Sequence, residues 1–506
     1  MTRADGAIRR PFSFASFALV SLAMRTLLFA AAATALATPA GIAAQSAQDR
    51  LDARHDRALA AGYKALMLCS AIAVAERNGT ARTPQSVHEW ELSGIYPALD
   101  PIIRELPYEI VRRPTGQVAH VEVEWAEDMP DRIAAYYGQD TGCSVLPIGA
   151  PEGVSNPEAP LNEPERETGN DGRMIDREVV ESVRGEDLPE GPLGRLFAGA
   201  FTARYGEGRT TALLVRRVGK DGTLVEEMAR YAPGFDEDTP QRTWSVAKSI
   251  AATLVGAAVL SGEYSVTDPV GLAYWRAGAE GDPRNAITID NALRMATGRY
   301  SDTPGNRTDP LYWGGTTVDE RAANWPILHE PGTVYRYANN DTLMAVKAID
   351  RWLAYYPPHE FFAKLGMDHT VAETDIRGNY VLSSQVWSTA GDLARLGQLY
   401  LNDGVWNGER LLPENWRDYV SDPSGPQPEG TEWGYGAGWW TFRRPEGNAF
   451  EGIPDDAFAA RGNRGQYIVV VPSRNVVIVR RGEDRVGTRF DIAAFTRDVL
   501  EALEGE

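Results

Sequence analysis

The chain has 506 residues, 43% hydrophobic and 24% charged, with 51 Lys and Arg against 70 Asp and Glu and a formal net charge of −19. These proportions exclude wholesale disorder, the length exceeds one ordinary domain of roughly 100–200 residues, and the acidic balance excludes nucleic acid as a partner, since phosphate binding needs clustered Lys and Arg. The 2 cysteines and 6 scattered histidines, with no HExxH, supply no ligand set for a thiolate zinc centre, an iron–sulfur cluster or a catalytic metal, and no cofactor is expected.

Residues 1–44 read as a secretory signal. From Met24 one Arg precedes an apolar stretch, then Pro39, Gly41 and small residues through Ala43 and Ala44, after which cleavage is expected. A second apolar run, FSFASFALVSLA, lies upstream and suggests that translation begins at Met24. The alternative is an uncleaved anchor, because Thr26 through Ala44 is long enough to span a bilayer. The expected product is periplasmic or secreted, with no stable membrane anchor. Export permits a disulfide, and two cysteines permit one pairing, so Cys69–Cys143 is predicted over two buried free thiols.

Residues 45–150 are predicted to form a small α/β unit. It comprises a helix near 48–77, the hairpin EIVRR-PTGQ-VAHVEVEW, a short helix and a strand at Cys143. Residues 151–173, rich in Pro, Glu, Asn and Gly, read as a linker or long surface loop. The remainder, 174–506, opens with the hairpin TALLVRRV and TLVEEMARYA around Gly219–Gly222. A helix apolar on nearly every face follows from about 245 to 261. A mostly helical region continues to about 430, including TAGDLARLGQLYLNDG, whose Asn-Asp-Gly end is a helix stop. The chain closes with the hairpin GQYIVVV-PSRN-VVIVRR and a last helix. Strands at both ends with helices between predict an α+β fold, its sheet assembled from both termini around a helical insertion.

There is no GxSxG and no histidine beyond His369, so a Ser, acid, His order has no parts. Ser245-Val246-Ala247-Lys248 offers other chemistry. Positions i and i+3 of a helix share a face, and a lysine desolvated by an apolar helix has a lowered pKa and can take the serine proton. The bland alternative is a buried lysine paired with a carboxylate. Tyr337-Ala338-Asn339 lies at a predicted strand-to-helix corner, with the helix beginning after Asn340 and Asp341. A Tyr337 phenolate beside Lys248 is a competent base, and Asn339 a donor to a substrate carbonyl or a partner of Lys248. Tyr400-Leu401-Asn402 repeats the pattern at a helix end and reads as structural. The run Ala460-Arg461-Gly462-Asn463-Arg464-Gly465-Gln466 heads the C-terminal hairpin. Its glycines let a strand approach a ligand and aim N–H groups at an oxyanion, or else mark a β-bulge.

These three segments, in this order, resemble the serine β-lactamase and penicillin-binding superfamily. The resemblance covers about residues 195–500 and is closest to the class C branch and to its relatives similar to esterases and 6-aminohexanoate-dimer hydrolases. It implies a β-lactamase-like antiparallel sheet flanked by terminal helices, with Ser245 as acylated nucleophile, Lys248 and Tyr337 as the proton-transfer pair, and Asn339 completing the second motif. The oxyanion hole would be the N–H groups of Ser245 and of Asn463, the residue after Gly462. Where the superfamily carries Lys-Thr-Gly, or His in place of Lys, this chain has Ala460-Arg461-Gly462. The groups that hold a β-lactam or peptide carboxylate are therefore absent, unless Arg461 or Arg464 receives one. Trp439 and Trp440 are candidate walls of the acyl pocket, or core residues. The expected function is an exported serine hydrolase cleaving a small-molecule ester or amide through an acyl-enzyme that water resolves, with Tyr337 as base. The alternatives are a peptidoglycan D-amino-acid peptidase or carboxypeptidase, a β-lactamase, and a catalytically silent envelope protein of the same fold that binds a ligand.

Overall fold

The computed structural model describes residues 46–151, 191–272, 275, 281–300 and 309–504. The expected signal segment and nearly all of the 151–173 stretch lie outside the described residues. Leu51–Glu506 form one compact unit.

Helix α1 (Ala47–Arg77) is buried without interruption from Ala58 to Ala75. Its apolar stretch has the length and composition of a membrane span, yet it lies wholly inside the protein, as expected of a core helix apolar on all sides. A four-stranded antiparallel sheet follows, in the order β1 (Tyr108–Arg112), β2 (Val118–Val123), β3 (Arg132–Tyr136), β4 (Cys143–Val145). Strand β3 replaces the short helix expected there. The segment is buried along its length and pairs with β2 on one side and β4 on the other, which satisfies a backbone that has no access to water.

This region has its own sheet and shares its hydrophobic core with the rest of the chain. Leu66, Leu68 and Ile72 of α1 belong to one hydrophobic cluster with Ile250, Leu254 and Leu396. Polar ties run alongside. The Cys143 N–H donates to Glu373 Oε1 at 3.0 Å, and Ser144 Oγ donates to the Thr374 carbonyl at 2.6 Å. The buried Arg132 guanidinium donates to the carbonyls of Ala58 at 2.6 Å and Trp313 at 2.7 Å. Cys69 and Cys143 are disulfide-bonded, as predicted.

The second sheet has seven antiparallel strands. Helix α2 (Pro192–Ala200) precedes the expected hairpin, β5 (Thr210–Val218) and β6 (Leu224–Tyr231). The short β7 (Gln241–Arg242) leads into α3 (Val246–Leu260), and α4 (Asn339–Ala348) follows in the helical region. Then come β8 (Val371–Ala372), β9 (Val386–Ser388) and α5 (Ala390–Leu401). The chain returns through β10 (Gly434–Tyr435), β11 (Trp440–Thr441), β12 (Phe458–Gly462), β13 (Gln466–Val471) and β14 (Val476–Gly482), and ends in α6 (Ile492–Glu504). The order across the sheet is β10-β11-β12-β13-β14-β5-β6. Strand β14 pairs with β5, Ile478 opposite Val215, so the sheet is indeed assembled from both parts of the chain.

Alternation along the central strands sorts two layers. Val469, Val471 and Ile478 pack with Leu196 and Phe197 of α2 and Phe495 and Val499 of α6. Ile468, Val470, Val477 and Val479 face the other way, onto α3 and α5. The chain belongs to the α+β class with a β-lactamase-like arrangement, and α3, which carries the Ser-x-x-Lys pair, is pressed against the sheet.

The disulfide spans a sequence separation of 74, and closing such a loop stabilises by about 4 kcal/mol in the chain-entropy model. Replacing Cys69 and Cys143 together by Ala should lower unfolding stability by up to that amount in a denaturant titration. The oxidised protein should release no thiol when unfolded, and Cys69→Ser alone should leave Cys143 reactive.

Candidate active site

Strand β7, paired with β9, brings the chain to a tight turn at Thr243-Trp244-Ser245. Trp244 sits there at φ 51°, in the left-handed region that costs a bulky residue roughly 1–2 kcal/mol. The Arg242 guanidinium stacks over its ring at 3.8 Å and holds it. The turn sets Ser245 at the head of α3, partly exposed, with its side chain making no capping bond to the helix.

Lys248 is 1% exposed. Its Nζ lies 3.1 Å from Ser245 Oγ, donates to the Ser383 carbonyl at 2.8 Å, and makes a short hydrogen bond to Asn339 Oδ1. All three neighbours are neutral oxygens. The bland reading of Lys248, a buried ion pair, is therefore not what the site contains. Burial first, and the Arg242 charge second, push the Lys248 ammonium down to about 7. An unprotonated amine has two N–H groups, which Asn339 and Ser383 take, and its lone pair is left facing the Ser245 hydroxyl.

Tyr337 joins them at the expected corner. Lys248 Nζ stands 5.0 Å from the centre of its ring, and the ring packs on Trp440 at 5.7 Å and Tyr435 at 6.1 Å. Burial raises the phenol above its ordinary value, while a hydrogen bond with the Ser245 side chain and the charge of Arg461 act the other way. The resting phenol thus keeps its proton. Helix α4 begins at Asn339 itself, not after Asp341, because Ala338 is still extended. A buried ion pair, Arg299 Nη2 to Asp341 Oδ1 at 2.9 Å, pins that helix start.

The third segment closes the site from the sheet. A Cβ added to Gly462 would stand 2.4 Å from the Thr243 carbonyl and 3.2 Å from the Ser245 nitrogen. Only glycine lets β12 approach the nucleophile turn this closely. Asn463, exposed, follows directly.

The remaining candidates divide. Trp439 is fully buried against Tyr400 and Phe458 and belongs to the core. Trp440, its neighbour, is part-exposed and lies against Tyr337. Ala460 packs toward α3 and α5, and Arg461 points to the opposite face, as alternation requires. That face still reaches the site. The Arg461 guanidinium lies over Trp433 at 4.2 Å and Trp440 at 4.8 Å and acts on Tyr337. Among the described residues no carboxylate pairs with it. Arg464, by contrast, is committed to Glu483 at 2.6 Å and is no receptor for a substrate carboxylate. Tyr400 bonds Thr253 in the core, as the structural reading held.

Two contributors escaped the sequence reading. Arg242, three residues before the serine, was a signal that could have been read. Ser383 acts through its main-chain carbonyl, and nothing in NYVLSSQVW marks it.

The Beta-lactamase family model matches residues 197–498. The chain belongs to the Beta-lactamase family. It is 26% identical over 351 residues to a 6-aminohexanoate-dimer hydrolase of Paenarthrobacter ureafaciens, an overlap of 61% of this chain and 82% of that one. A solved class C beta-lactamase is similar at 15% identity and a TM-score of 0.45, covering 62% of this chain and 96% of its own. Within the Beta-lactamase family this chain is a serine hydrolase.

If Lys248 takes the serine proton, it must be unprotonated to act. Acylation by a neutral ester should therefore be full above pH about 7 and fall as pH drops through that value, with a single-proton slope in kcat/KM. Lys248→Ala should remove the titration and cost at least about 100-fold.

Proposed function

We propose that this hydrolase cleaves an ester or amide of a small molecule through an acyl-enzyme on Ser245. The observation that carries the reading is Lys248, buried among neutral oxygens with its Nζ 3.1 Å from the Ser245 hydroxyl oxygen. Ser245 Oγ attacks the carbonyl carbon as its proton moves to Lys248 Nζ. The N–H groups of Ser245 and Asn463 receive the developing oxyanion. The Tyr337 phenol then gives its proton to the leaving oxygen or nitrogen, and the acyl group stays on Ser245. Tyr337 is now a phenolate beside a charged Lys248, and it takes a proton from the water that attacks the acyl carbon. Lys248 returns its proton to Ser245 Oγ as the acid departs. The phenolate expected from the sequence thus has its place within turnover, not at rest.

The name of the Paenarthrobacter relative supports a linear amide within the substrate class. The reading includes export, on the layout of residues 1–44 and the disulfide that an oxidising compartment sustains. A second reading, a substrate bearing a carboxylate such as a β-lactam, is favoured by Arg461, a cation on the face of Tyr337 and Trp440 that pairs with no carboxylate among the described residues. Against it, Ala460 occupies the usual lysine position. One charged hydrogen bond is worth about 1.5–3 kcal/mol.

A fluorophosphonate probe should label Ser245 alone, and Ser245→Ala should abolish labelling and turnover together. Label on another serine, with the mutant fully active, would end the assignment. On one purified sample, kcat/KM for short-chain p-nitrophenyl esters should exceed that for nitrocefin by about tenfold or more, the factor that about 1.4 kcal/mol supplies. Equal or faster nitrocefin turnover would transfer the conclusion to the second reading.

A further inference from the structure

The region before the disulfide hairpin reaches the outer side of the third motif. Arg464 follows Asn463 with φ 61°, a left-handed backbone that an arginine holds only under constraint. The constraint is its own side chain. The guanidinium donates to the carbonyls of Trp90 at 2.7 Å and Ser93 at 3.1 Å, and to the Glu483 carbonyl at 3.1 Å. It also pairs with the Glu483 carboxylate at 2.6 Å, both side chains being nearly sealed from water.

The partners are fixed in turn. The short helix Pro84–Trp90 is braced by a buried, two-pronged ion pair, Arg82 to Glu91, with both contacts at 2.8 Å. The Trp90 ring packs edge-on against Phe235 at 5.2 Å and lies under the Arg209 guanidinium at 4.0 Å. The Val486 N–H donates to the Gly94 carbonyl at 2.7 Å, and the Asp484 N–H to the Arg464 carbonyl at 3.1 Å. The turn that presents the Asn463 N–H is therefore clasped from outside by residues 82–94, which lie outside the span matched by the family model.

We infer that Arg464 is a positioning residue for the oxyanion hole and that segment 82–94 is its anchor, which makes the N-terminal region a working part of the catalytic apparatus. The inference rests on the reading above, in which the Asn463 N–H supplies half of the hole. Without its side-chain contacts to Trp90, Ser93 and Glu483, Arg464 loses the constraint on its left-handed backbone, and the preceding N–H swings off the carbonyl it serves. The nucleophile, Lys248 and Tyr337 stay on other elements and are untouched.

The test compares a p-nitrophenyl ester with its thionoester, in which sulfur replaces the carbonyl oxygen. Sulfur is a weak hydrogen-bond acceptor, so its transition state draws little on the hole. Arg464→Met should lower kcat for the ester by about 30-fold with KM changed less than about threefold. The thionoester should lose about threefold, so that the ester-to-thionoester ratio falls by about tenfold. Arg464→Lys, which keeps one donor group, should recover part of that ratio. Glu483→Gln leaves the carbonyl contacts in place and, as the milder change, serves if the Arg464 variants do not fold. It should lower the ratio by a smaller factor. Equal losses on both substrates in every folded variant, in step with a lowered Tm, would reduce Arg464 to a structural staple and overturn the inference. Full turnover by Ser245→Ala would instead remove the underlying reading, so the two failures are told apart.

Discussion

A lysine sealed from water among neutral oxygens gives up its proton far more easily than an exposed one, and the site is organised around that fact. Neutral oxygens compensate a buried ammonium less fully than water or a carboxylate does. The helix is apolar on nearly every face and is pressed between the sheet and the helical layer, and among the described residues the hydrogen-bond partners of Lys248 Nζ are Ser245, Asn339 and the Ser383 carbonyl. A carboxylate at hydrogen-bond range would have held the ammonium charged and inert. Arg242 adds a second positive charge nearby and pushes the same way. The turn at Trp244 and the extended Ala338 before Asn339 are the local arrangements that bring the Ser245 and Asn339 oxygens to this lysine.

The two basic residue types divide the labour. Arginine ties the structure together. Arg132, Arg464 and Arg481 each spread a guanidinium over main-chain carbonyls from separate parts of the chain. A planar fork with five donors suits that work, and its charge survives burial. Lysine, present at only five positions, includes the one cation asked to lose its proton. A point charge on a flexible stem shifts readily, and an arginine at 248 would stay charged and take no proton from serine. Arg461 belongs to neither group. Its guanidinium lies over two indoles, and no carboxylate among the described residues pairs with it.

Features set by short-range periodicity were legible in the sequence. The i, i+3 spacing of Ser245 and Lys248, the hairpins around their turns and the continuous apolarity of α3 each state a local geometry, and the structure follows them. The buried β3 was misread because RIAAY carries no alternation once both its faces are covered. Trp439 and Trp440 differ by one residue, and a strand sends adjacent side chains to opposite faces, so which indole lines the site depends on a register the sequence does not print. Composition alone could not tell that α1 merges its core with α3, since an apolar helix is equally at home in its own small domain. Ser383 contributes a carbonyl, which every residue has.

The placement of β14 sets an order on synthesis. It is a central strand, with β5 on one side and β13 on the other, yet it is the last strand of the chain. The β5–β6 hairpin, made some 250 residues earlier, has nothing to pair with until β14 arrives, since its inner edge stays unfilled. Cys69 and Cys143 both precede that hairpin and can be joined while the sheet is still open. The crosslinked region would then be a partly settled platform awaiting its lid of sheet. Pairing so distant in sequence folds slowly and leaves apolar strands uncovered meanwhile. This chain therefore spends its longest vulnerable interval with the nucleophile's helix made and its covering strands not yet present.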